Sequence, residues 1–392
     1  PQPPNGLATN VAEALEASAK LSYPVLVRPS FVLGGRAMQI VYSDDELRHY
    51  MRTAVEASPE RPVLVDKFLE DAIEVDVDCI ADVGLHDDPA DATVVIGAML
   101  EHVEFAGVHS GDATMVLPPH TLSAELMDTM RRYSDAMARE LKVTGLMNVQ
   151  YAIKDGIVYV LEVNPRASRT VPFVSKAIGR PLAKLAAKVM TGRTLKELGF
   201  TEELIPDYWA VKESVFPFNR FQGQDILLSP EMKSTGEVMG IDTDLGTAYA
   251  KSQMASGSSL PLEGRVFISV SDAHKAEVAD LAKRFADLGF KLSSTTGTAA
   301  VLTEAGLEVE SVPKLAEGRP NTLDLLKNNE IQLVINTPSG QAPRADEIKI
   351  RTTAVYTNTP IMTTMGSAKA AAEGIAALKK NGYAVKPLQE FL

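Results

Sequence analysis

Side chains with oxygen ligands lie in two adjacent apolar segments near the middle of the chain. Gln150 lies in the first segment, and Glu162 and Asn164 lie in the second. Carboxylate and amide oxygens are ligands that Mg²⁺ accepts alongside phosphate oxygens. Arg166 and Arg169 follow directly, and a guanidinium grips phosphate or carboxylate with paired hydrogen bonds. These residue types fit metal-bridged binding of an oxyanion, while a solvated hairpin face or a structural ion-pair network is the competing interpretation.

The hairpin turn decides whether these ligands converge. The pattern predicts a hairpin over residues 147–163 that turns at Asp155-Gly156. If residues 154–156 form a three-residue turn with Gly156 at the positive-φ position, all three ligands share one face. A two-residue turn would separate Gln150 from Glu162.

Three further segments carry residue types that suit a nucleotide. Arg28 precedes a Gly34-Gly35 turn, which can let backbone amides approach phosphates. Residues 66–69, Asp-Lys-Phe-Leu, combine with Glu74 to offer an apolar wall for adenine and an acceptor for ribose, although a plain strand and turn fits equally well. The glycine-rich loop over residues 104–112 contains His109, and a lone histidine is more often structural than catalytic.

A hydroxyl-rich loop lies in the last third of the chain. Residues 293–299, Ser-Ser-Thr-Thr-Gly-Thr-Ala, follow a predicted strand and precede a predicted helix. Amides and hydroxyls at a helix start make an anion site, to which Lys275 and Lys314 would add charge. A bare loop of this composition is also common without any ligand.

Length and composition limit the function classes. The chain has 392 residues, which predicts two or three domains, and it is 45% hydrophobic and 23% charged. It contains no apolar run of roughly 18 residues, so a membrane role is not expected. The net charge of −12 and the absence of a basic block argue against nucleic acid. The single cysteine, Cys79, lies in a predicted buried strand, so a reducing cytoplasm fits best.

The elements change character along the chain. Strand and helix patterns up to about residue 257 include an amphipathic helix over residues 123–141. The small residues of 256–261 form the best linker candidate. Beyond it, buried strands alternate with helices, the first of which Ser271 could cap, and this alternation predicts a parallel sheet. The sequence therefore divides near residue 258.

Several ordered motifs resemble one family. RPSFVLGGRAM at residues 28–38, GVHSGD at 107–112, MNVQ at 147–150 and LEVNPRA at 161–167 closely resemble the large subunit of carbamoyl phosphate synthetases. The resemblance runs nearly end to end. It implies an α+β ATP-grasp unit over residues 1–257, without its opening subdomain, and an α/β doubly wound, methylglyoxal-synthase-like regulatory domain over residues 258–392. Since the first residue is Pro1 rather than Met, a fragment is expected.

The resemblance also implies the site residues. The cofactors would be ATP, with Mg²⁺ or Mn²⁺, and K⁺ as a further candidate. The ATP site would be lined by Arg28, Lys67, Leu69, Glu74, Gly107, Val108, His109, Ser110, Gln150 and Glu162. Gln150, Glu162 and Asn164 would bind the metals, and Asn164, Arg166 and Arg169 would face the transferring phosphate and carbamate. Lys67 stands where the family is expected to have His.

Two effector sites are implied in the same way. The activator ornithine would be held by Glu104, Asp112, Glu213 and Thr363, and the inhibitor UMP by Lys275, Thr295, Thr298, Lys314 and Asn336. The sequence departs from the family pattern at Thr296, where His is expected, and at Gln341-Ala342, where basic residues are expected.

The implied function is ATP-dependent phosphorylation of carbamate to carbamoyl phosphate, which feeds pyrimidine and arginine biosynthesis. The partners would be a glutaminase small subunit that supplies ammonia and the first half of the large subunit, which supplies carbamate. Two alternatives stay open. Another ATP-grasp carboxylate ligase would not predict the threonine loop at residues 295–298. A non-catalytic nucleotide-binding regulatory fragment would bind ADP and metal without turnover.

Overall fold

The chain folds as two compact units. The computed structural model describes residues 1–29, 34–57, 62–220, 225–338 and 345–392. The first unit comprises Pro1–Asp207, Leu228–Lys233 and Leu388–Leu392, and the second comprises Tyr208–Leu227 and Ser234–Pro387. This grouping differs from a division at residue 258, because residues 234–257 pack with the C-terminal part of the chain. As a boundary between two family domains, residue 258 stays a prediction.

A four-stranded antiparallel sheet begins the first unit. Its elements are β1 (Asn5–Ala8), α1 (Val11–Leu21), β2 (Val25–Pro29), β3 (Gln39–Val41), α2 (Asp44–Ala57) and β4 (Val63–Lys67). The strand order is β1-β4-β2-β3. Helix α1 begins where the Asn10 side chain accepts a hydrogen bond from the Glu13 amide at 3.0 Å. Valines of β2 and β4 pack with Leu47 and Met51 of α2 in one core.

A second antiparallel sheet forms the body of the first unit. Its elements are β5 (Ile73–Asp82), β6 (Val94–Phe105), β7 (Met115–Leu117), α3 (Ala124–Glu140), β8 (Thr144–Lys154), β9 (Ile157–Asn164), α4 (Val171–Ala177) and α5 (Leu182–Met190). The strands neighbour one another in the order β7-β6-β5-β8-β9. Helix α3 covers one face, where Met130 packs with Tyr151 and Val77. Cys79 is buried in β5, as the sequence predicts, and burial raises the pKa of its thiol.

The β8–β9 hairpin corrects the expected turn. Lys154 pairs with Ile157, so the turn has two residues, and Asp155 and Gly156 have φ values of 51° and 75°. Such a turn alone would set Gln150 opposite Leu161. A β-bulge after Gln150 leaves Leu161 as the extra residue, and Gln150 pairs with Glu162 instead. The expected convergence therefore occurs, but a bulge rather than a three-residue turn produces it.

The second unit begins with a hairpin and a helix and continues as a parallel sheet. The first elements are β10 (Trp209–Val215), β11 (Gly236–Asp242) and α6 (Leu245–Ser256). The sheet has the order β14-β13-β12-β15-β16, and neighbouring strands in it run parallel, as the alternating pattern predicts. Its elements are β12 (Arg265–Ser269), α7 (Val278–Asp287), β13 (Lys291–Thr295), α8 (Thr296–Glu304), β14 (Val309–Val312), α9 (Thr322–Lys327), β15 (Leu333–Asn336), α10 (Ala345–Tyr356), β16 (Ile361–Met362) and α11 (Met365–Asn381).

One predicted helix start is wrong. Ser271 precedes a short 3₁₀ turn over Asp272–His274, and its side chain caps no amide there. Helix α7 begins later, at Val278, where the apolar face formed by Val278, Leu281 and Phe285 becomes buried. Within the described ranges, no helix is long and apolar enough to cross a membrane.

Gly240 of β11 provides a test of the packing in the second unit. A Cβ at this position would lie 1.9 Å from the Ala248 carbonyl oxygen and 2.4 Å from the Ser252 amide nitrogen, both in the backbone of α6. We expect Gly240→Ala to lower the free energy of unfolding by about 3 kcal/mol or more, because backbone cannot move aside as a side chain can. Urea denaturation measures this change.

The matched control for this prediction is Gly236→Ala in the same strand. A Cβ at Gly236 meets no atom within 4 Å. Equal losses of stability in the two variants would contradict the packing of β11 against α6.

Candidate functional site

One face of the second sheet carries a row of polar side chains. The strand register sets Asp76 opposite Gln150 and Asp78 opposite Asn148. It also sets Gln150 opposite Glu162 and Asn148 opposite Asn164. Directly opposed residues in antiparallel strands point to the same side of a sheet. Three strands therefore present carboxylates and amides on one surface.

The predicted metal ligands occupy the open part of this face. Asn164 Nδ2 donates to Glu162 Oε1 at 2.6 Å, and Arg166 Nη2 donates to Asn164 Oδ1 at 3.0 Å. Gln150 Nε2 donates to Ser110 Oγ at 3.1 Å. Glu162 and Arg166 are exposed, whereas Gln150 and Asn164 are half-buried. The structure thus brings together the three predicted ligands and one of the two predicted arginines.

This donor set fits a cation that shares its ligands with phosphate. It holds a single carboxylate and two amides, and Mg²⁺ is commonly held by one or two carboxylates together with phosphate oxygens and water. Among the described residues, no group of three His, Cys, Asp or Glu side chains is placed to hold a metal on its own.

A buried polar layer supports the ligands. Asn148 Nδ2 donates to Asp76 Oδ1 and Asp78 Oδ1, each at 3.0 Å. His102 Nε2 lies 2.8 Å from Asp76 Oδ2, and Ser168 Oγ donates to Asp78 at 2.7 Å. Burial raises the pKa of Asp78 to about 6, although its hydrogen bonds act in the opposite direction. These contacts fix the strands that carry the open ligands.

This layer was not predicted from the sequence. The pattern of residues 75–80 predicts a buried strand but no role for its two carboxylates. The signal was present as the alternation Val75-Asp76-Val77-Asp78. A period of two places both aspartates on one face of a strand, opposite the valines that enter the core.

Glu74 and Gly107 lie together at the predicted nucleotide wall. The Gly107 amide donates to Glu74 Oε1 at 3.2 Å, and burial raises the pKa of Glu74. A Cβ at Gly107 would lie 3.0 Å from the Phe68 ring and 3.1 Å from Ile40, and Gly107 has a φ of 109°. Glycine is required here by both space and backbone conformation.

Two predicted nucleotide contacts bind protein groups in this structure. Arg28 Nε lies 2.7 Å from Asp66 Oδ2. Lys67 Nζ donates to the carbonyls of Ser22 and Tyr23 at 3.1 and 3.2 Å. The lysine that replaces the expected histidine thus ties the end of β4 to the loop before β2. Leu69 follows it and is half-buried.

The loop over residues 107–112 is held from both sides. The Gly111 amide donates to His109 Nδ1 at 2.9 Å, and the His109 amide donates to the Ser229 carbonyl at 2.9 Å. Burial lowers the pKa of His109, so the neutral ring with Nδ1 as acceptor is favoured. Val108 and Ser110 are half-buried in the same loop.

The glycine turn and Arg169 lie beside residues 228–233. Gly34 and Gly35 have φ values of 65° and 66°, and residues 30–33 of the same motif lie outside the described residues. The Met232 amide donates to the Gly34 carbonyl at 3.2 Å. The exposed Arg169 guanidinium contacts the Met232 sulfur. No part of this six-residue segment was predicted to belong to the site.

The four predicted ornithine residues divide between the units. In the first unit, Glu104 is buried and accepts from the Thr114 amide and hydroxyl at 2.8 and 3.0 Å. Burial raises the pKa of Glu104. Asp112, also in the first unit, accepts from the Lys233 amide at 2.7 Å. The other two, Glu213 and Thr363, belong to the second unit, where Gln253 donates to Glu213 at 2.7 Å.

The parallel sheet places the predicted nucleotide residues at one edge. Thr295 and Asn336 end β13 and β15, Lys275 lies in the turn after β12, and Lys314 follows β14 by two residues. Thr298 is buried in the first turn of α8. Ligands of open α/β sheets bind outside the carboxyl ends of the strands. Residues 341–342, where basic side chains are expected, lie outside the described residues.

Arg351 was not predicted. It is fully buried, and its Nη1 donates to Asn336 Oδ1 at 3.0 Å. Its Nε and Nη2 donate to the two carboxylate oxygens of Asp225 at 2.7 and 2.6 Å. In the sequence, this arginine lies within a helix pattern that shows nothing unusual. Only the folded structure shows that its side chain lies beside Asn336, a predicted ligand residue.

Comparison with known proteins identifies the family. Residues 2–198 match the model of the carbamoyl-phosphate synthase L chain, ATP binding domain, and residues 277–363 match the MGS-like domain. The chain is 52% identical over 395 residues to the carbamoyl phosphate synthase large chain of Nostoc sp. and 53% identical over 391 residues to that of Myxococcus xanthus. It belongs to the family of carbamoyl phosphate synthase large chains.

The chain spans about a third of these large chains. The alignments cover 100% of this chain but 35% of the Nostoc protein and 36% of the Myxococcus protein. A rice relative named as the arginine-specific, chloroplastic large chain is 51% identical over 392 residues, which is 100% of this chain and 33% of that protein. The family resemblance predicted from the motifs is thus confirmed.

The fold class of the first part is confirmed as well. The structure is similar to the crystal structure of a Campylobacter jejuni biotin carboxylase in complex with beta-gamma-ATP, with a TM-score of 0.51 and 14% identity over 65% of this chain and 62% of that one. At this identity, the similarity establishes the fold alone. Together with the parallel sheet of the second unit, it supports an ATP-grasp unit followed by a methylglyoxal-synthase-like domain in this synthase chain.

Asp78 should make stability depend on pH. Its folded-state pKa of about 6 lies above the ordinary value of 3.8, so the folded state binds the proton more tightly and stability decreases as pH rises through this range. Asp78→Asn lacks this ionisation. Between about pH 4.5 and about pH 7.5, the metal-free wild type should lose about 2 kcal/mol of unfolding free energy relative to the variant.

Urea denaturation at the two pH values measures this difference, with Asp87→Asn in an exposed loop as the control. The control should show no such change. A constant difference between wild type and Asp78→Asn would show that Asp78 ionises in the folded protein as it does in water.

Proposed function

We propose that this chain phosphorylates carbamate within the complete synthase. A carbamate oxygen attacks the γ-phosphorus of ATP, the bond from that phosphorus to the bridging oxygen breaks, and carbamoyl phosphate and ADP result. The observation that carries the proposal is the register of the bulged hairpin, which sets Gln150 opposite Glu162 with Asn164 on the same face. Membership of the synthase family supplies the reaction class.

The chain's own residues position and neutralise anions in this reaction. Glu162, Gln150 and Asn164 would hold Mg²⁺ or Mn²⁺, which when bound offsets phosphate charge. Arg166 is oriented by its hydrogen bond to Asn164 Oδ1, and its guanidinium is exposed. With Arg169 it would hold the transferring phosphate and the carbamate. Phosphoryl transfer depends mainly on positioning and charge stabilisation, so no nucleophile on the protein is required.

The rest of the nucleotide would lie along the loop and the first sheet. Glu74, which accepts from the Gly107 amide, would accept from the ribose, and Leu69 would supply apolar contact. Residues 107–110 and Arg28 would line the phosphates. Lys67 contacts two backbone carbonyls here, so its part in binding would be to hold the wall in place. K⁺ is a further proposed cofactor.

The partners follow from the family. We propose that a glutaminase small subunit supplies ammonia and that the first half of the large chain supplies carbamate, in the cytoplasm. The product would serve pyrimidine and arginine biosynthesis, and the name of the rice relative, an arginine-specific large chain, supports the second of these.

The second unit would bind effectors. The edge formed by Lys275, Thr295, Thr298 and Lys314 offers two cations and two hydroxyls to one phosphate, with Asn336 beside it. UMP is the proposed inhibitor at this edge. Ornithine is the proposed activator at Glu104, Asp112, Glu213 and Thr363, where three carboxylates suit its ammonium groups.

Glu162→Gln tests the proposed metal site. The variant removes one charge and keeps the shape of the side chain, so carbamoyl-phosphate-dependent ATP synthesis by the full-length synthase should fall at least about 100-fold at saturating Mg²⁺. Glu140→Gln, at the exposed end of α3, is the control and should retain full activity. Activity of Glu162→Gln within about threefold of wild type would rule out the metal assignment.

Lys314→Ala tests the nucleotide edge. The variant removes one of the two proposed phosphate cations, so UMP should bind at least about tenfold more weakly, as measured by calorimetry on the full-length synthase. In the wild type, saturating ornithine should weaken UMP binding, and UMP should weaken ornithine binding by the same factor. Lys291→Ala, at the opposite end of β13, is the control. Unchanged UMP affinity in Lys314→Ala would remove this site.

A further inference from the structure

A buried ion pair between Asp225 and Arg351 fixes the loop before β11 to helix α10 of the second unit. Arg351 of α10 is 0% exposed, and both oxygens of the Asp225 carboxylate accept from its guanidinium. Glu347 lies 3.8 Å from the same guanidinium. A buried cation that loses its counter-ion is strongly unfavourable. Asp225 therefore stays with Arg351, and the loop that carries it follows α10.

The same guanidinium contacts a proposed nucleotide ligand. Arg351 Nη1 donates to Asn336 Oδ1 at 3.0 Å, while Asn336 Nδ2 donates to the Ser269 carbonyl at 3.3 Å. Each end of the Asn336 amide has room for a second hydrogen bond, so a nucleotide that bonds to it would share this side chain with Arg351. Binding at this edge would thus change the surroundings of Arg351 directly.

Three residues after Asp225, the chain enters the first unit. Leu228–Lys233 belong to that unit, although the residues on both sides belong to the other. Three residues span at most about 10 Å when fully extended. Ile226, within this connection, is buried. The connection is therefore short and anchored, so it can transmit a displacement of Asp225 along the backbone.

Residues 228–233 contact the glycine turn at Gly34-Gly35 and the His109 loop through backbone groups. The Ser229 carbonyl accepts from the His109 amide at 2.9 Å, and the Met232 amide donates to the Gly34 carbonyl at 3.2 Å. A Cβ at Gly35 would lie 1.9 Å from the Pro230 carbonyl oxygen. The segment is thus packed directly against the glycine turn and the His109 loop.

The same segment contacts two charged residues of the candidate site. The Lys233 amide donates to Asp112 Oδ2 at 2.7 Å, and the Met232 sulfur contacts the Arg169 guanidinium. Arg169 is exposed, and its guanidinium contacts the Met232 side chain. Residues 228–233 therefore help to decide where this guanidinium points.

We propose that residues 225–233 form a coupling segment that carries the nucleotide signal to the phosphoryl-transfer site. This inference rests on the proposed function, because it takes the strand edge at Asn336 as the effector site. Arg351 and Asp225 are positioning residues at one end, and Ser229, Met232 and Lys233 hold the transfer loops at the other. The route is a continuous set of hydrogen bonds and backbone, and its equilibrium position is biased from both ends.

Asp225→Asn tests the proposal in the full-length synthase with its small subunit. The substitution keeps the shape of the side chain and removes the charge that holds Arg351. Effector coupling is typically about 5- to 150-fold in proteins, and we expect the ratio of activities without and with saturating UMP to fall to within about twofold of unity. UMP affinity measured without ATP should stay within about threefold of the wild-type value, because Asp225 is not among the residues proposed to bind the phosphate of UMP.

Two comparison variants define the effect. Asp225→Glu keeps the carboxylate and should retain most of the UMP response. Asp287→Asn makes the same charge change in an exposed pair, where Asp287 lies 2.8 Å from Lys283, and should respond to UMP as the wild type does. Activity without UMP should stay within about twofold of wild type in Asp225→Glu and Asp287→Asn, because both keep the carboxylate that holds Arg351.

The outcomes separate this inference from the proposed function. If wild-type synthase neither binds nor responds to UMP, the proposed nucleotide control fails, and the coupling segment fails with it. If the wild type responds and Asp225→Asn responds equally, the coupling segment is overturned while nucleotide control stands. If Asp225→Asn loses UMP binding itself, Asp225 supports the nucleotide edge and the coupling role is overturned.

A second variant keeps the proposal testable should Asp225→Asn fail to fold. One glycine inserted between residues 227 and 228 lengthens the connection and leaves the ion pair intact. We expect the same loss of the UMP response with UMP binding retained. A full response in this variant would overturn the proposal, because a slack connection could not transmit the displacement.

Discussion

The pairing of Gln150 with Glu162 is the constraint on which the candidate site depends. Side chains alternate along a strand, so a shift of one residue would move Glu162 and Asn164 to the other face of the sheet. The turn at Asp155-Gly156 by itself sets the wrong shift, and the extra residue Leu161 reverses it. The orientation of Arg166 then follows, because its guanidinium is bonded to Asn164.

The buried layer beneath these ligands explains how an open site keeps its geometry. Asn148 bridges Asp76 and Asp78, and Ser168 reaches Asp78 from the segment after β9. The layer thus joins three strands and the loop that carries the arginines. Burying the charged carboxylate of Asp78 is unfavourable, as its raised pKa indicates. This cost falls at a place where several ligands must be aligned together.

Sequence periodicity predicted most elements but not the contacts that complete the site. Helices such as α3 followed from the spacing of apolar residues, and the parallel sheet followed from alternation. The predicted ligands of the hairpin do lie together, but a β-bulge rather than the expected three-residue turn brings them there. The sequence composition gives no clear signal for such a bulge. The roles of Arg351 and Met232 could not be found at all, because Asp225 and Arg169, their respective partners, lie more than 60 residues away in the chain.

The discontinuous first unit has a consequence for exchange between relatives. Leu228–Lys233 are encoded inside the stretch that otherwise builds the second unit. A single crossover near residue 207 between two homologous genes would therefore pair this segment from one parent with the glycine turn and His109 loop of the other. Six residues would have to match a foreign surface, including the close approach of Pro230 to Gly35. A recombinant is thus expected to keep this packing only when its two parents agree in both places.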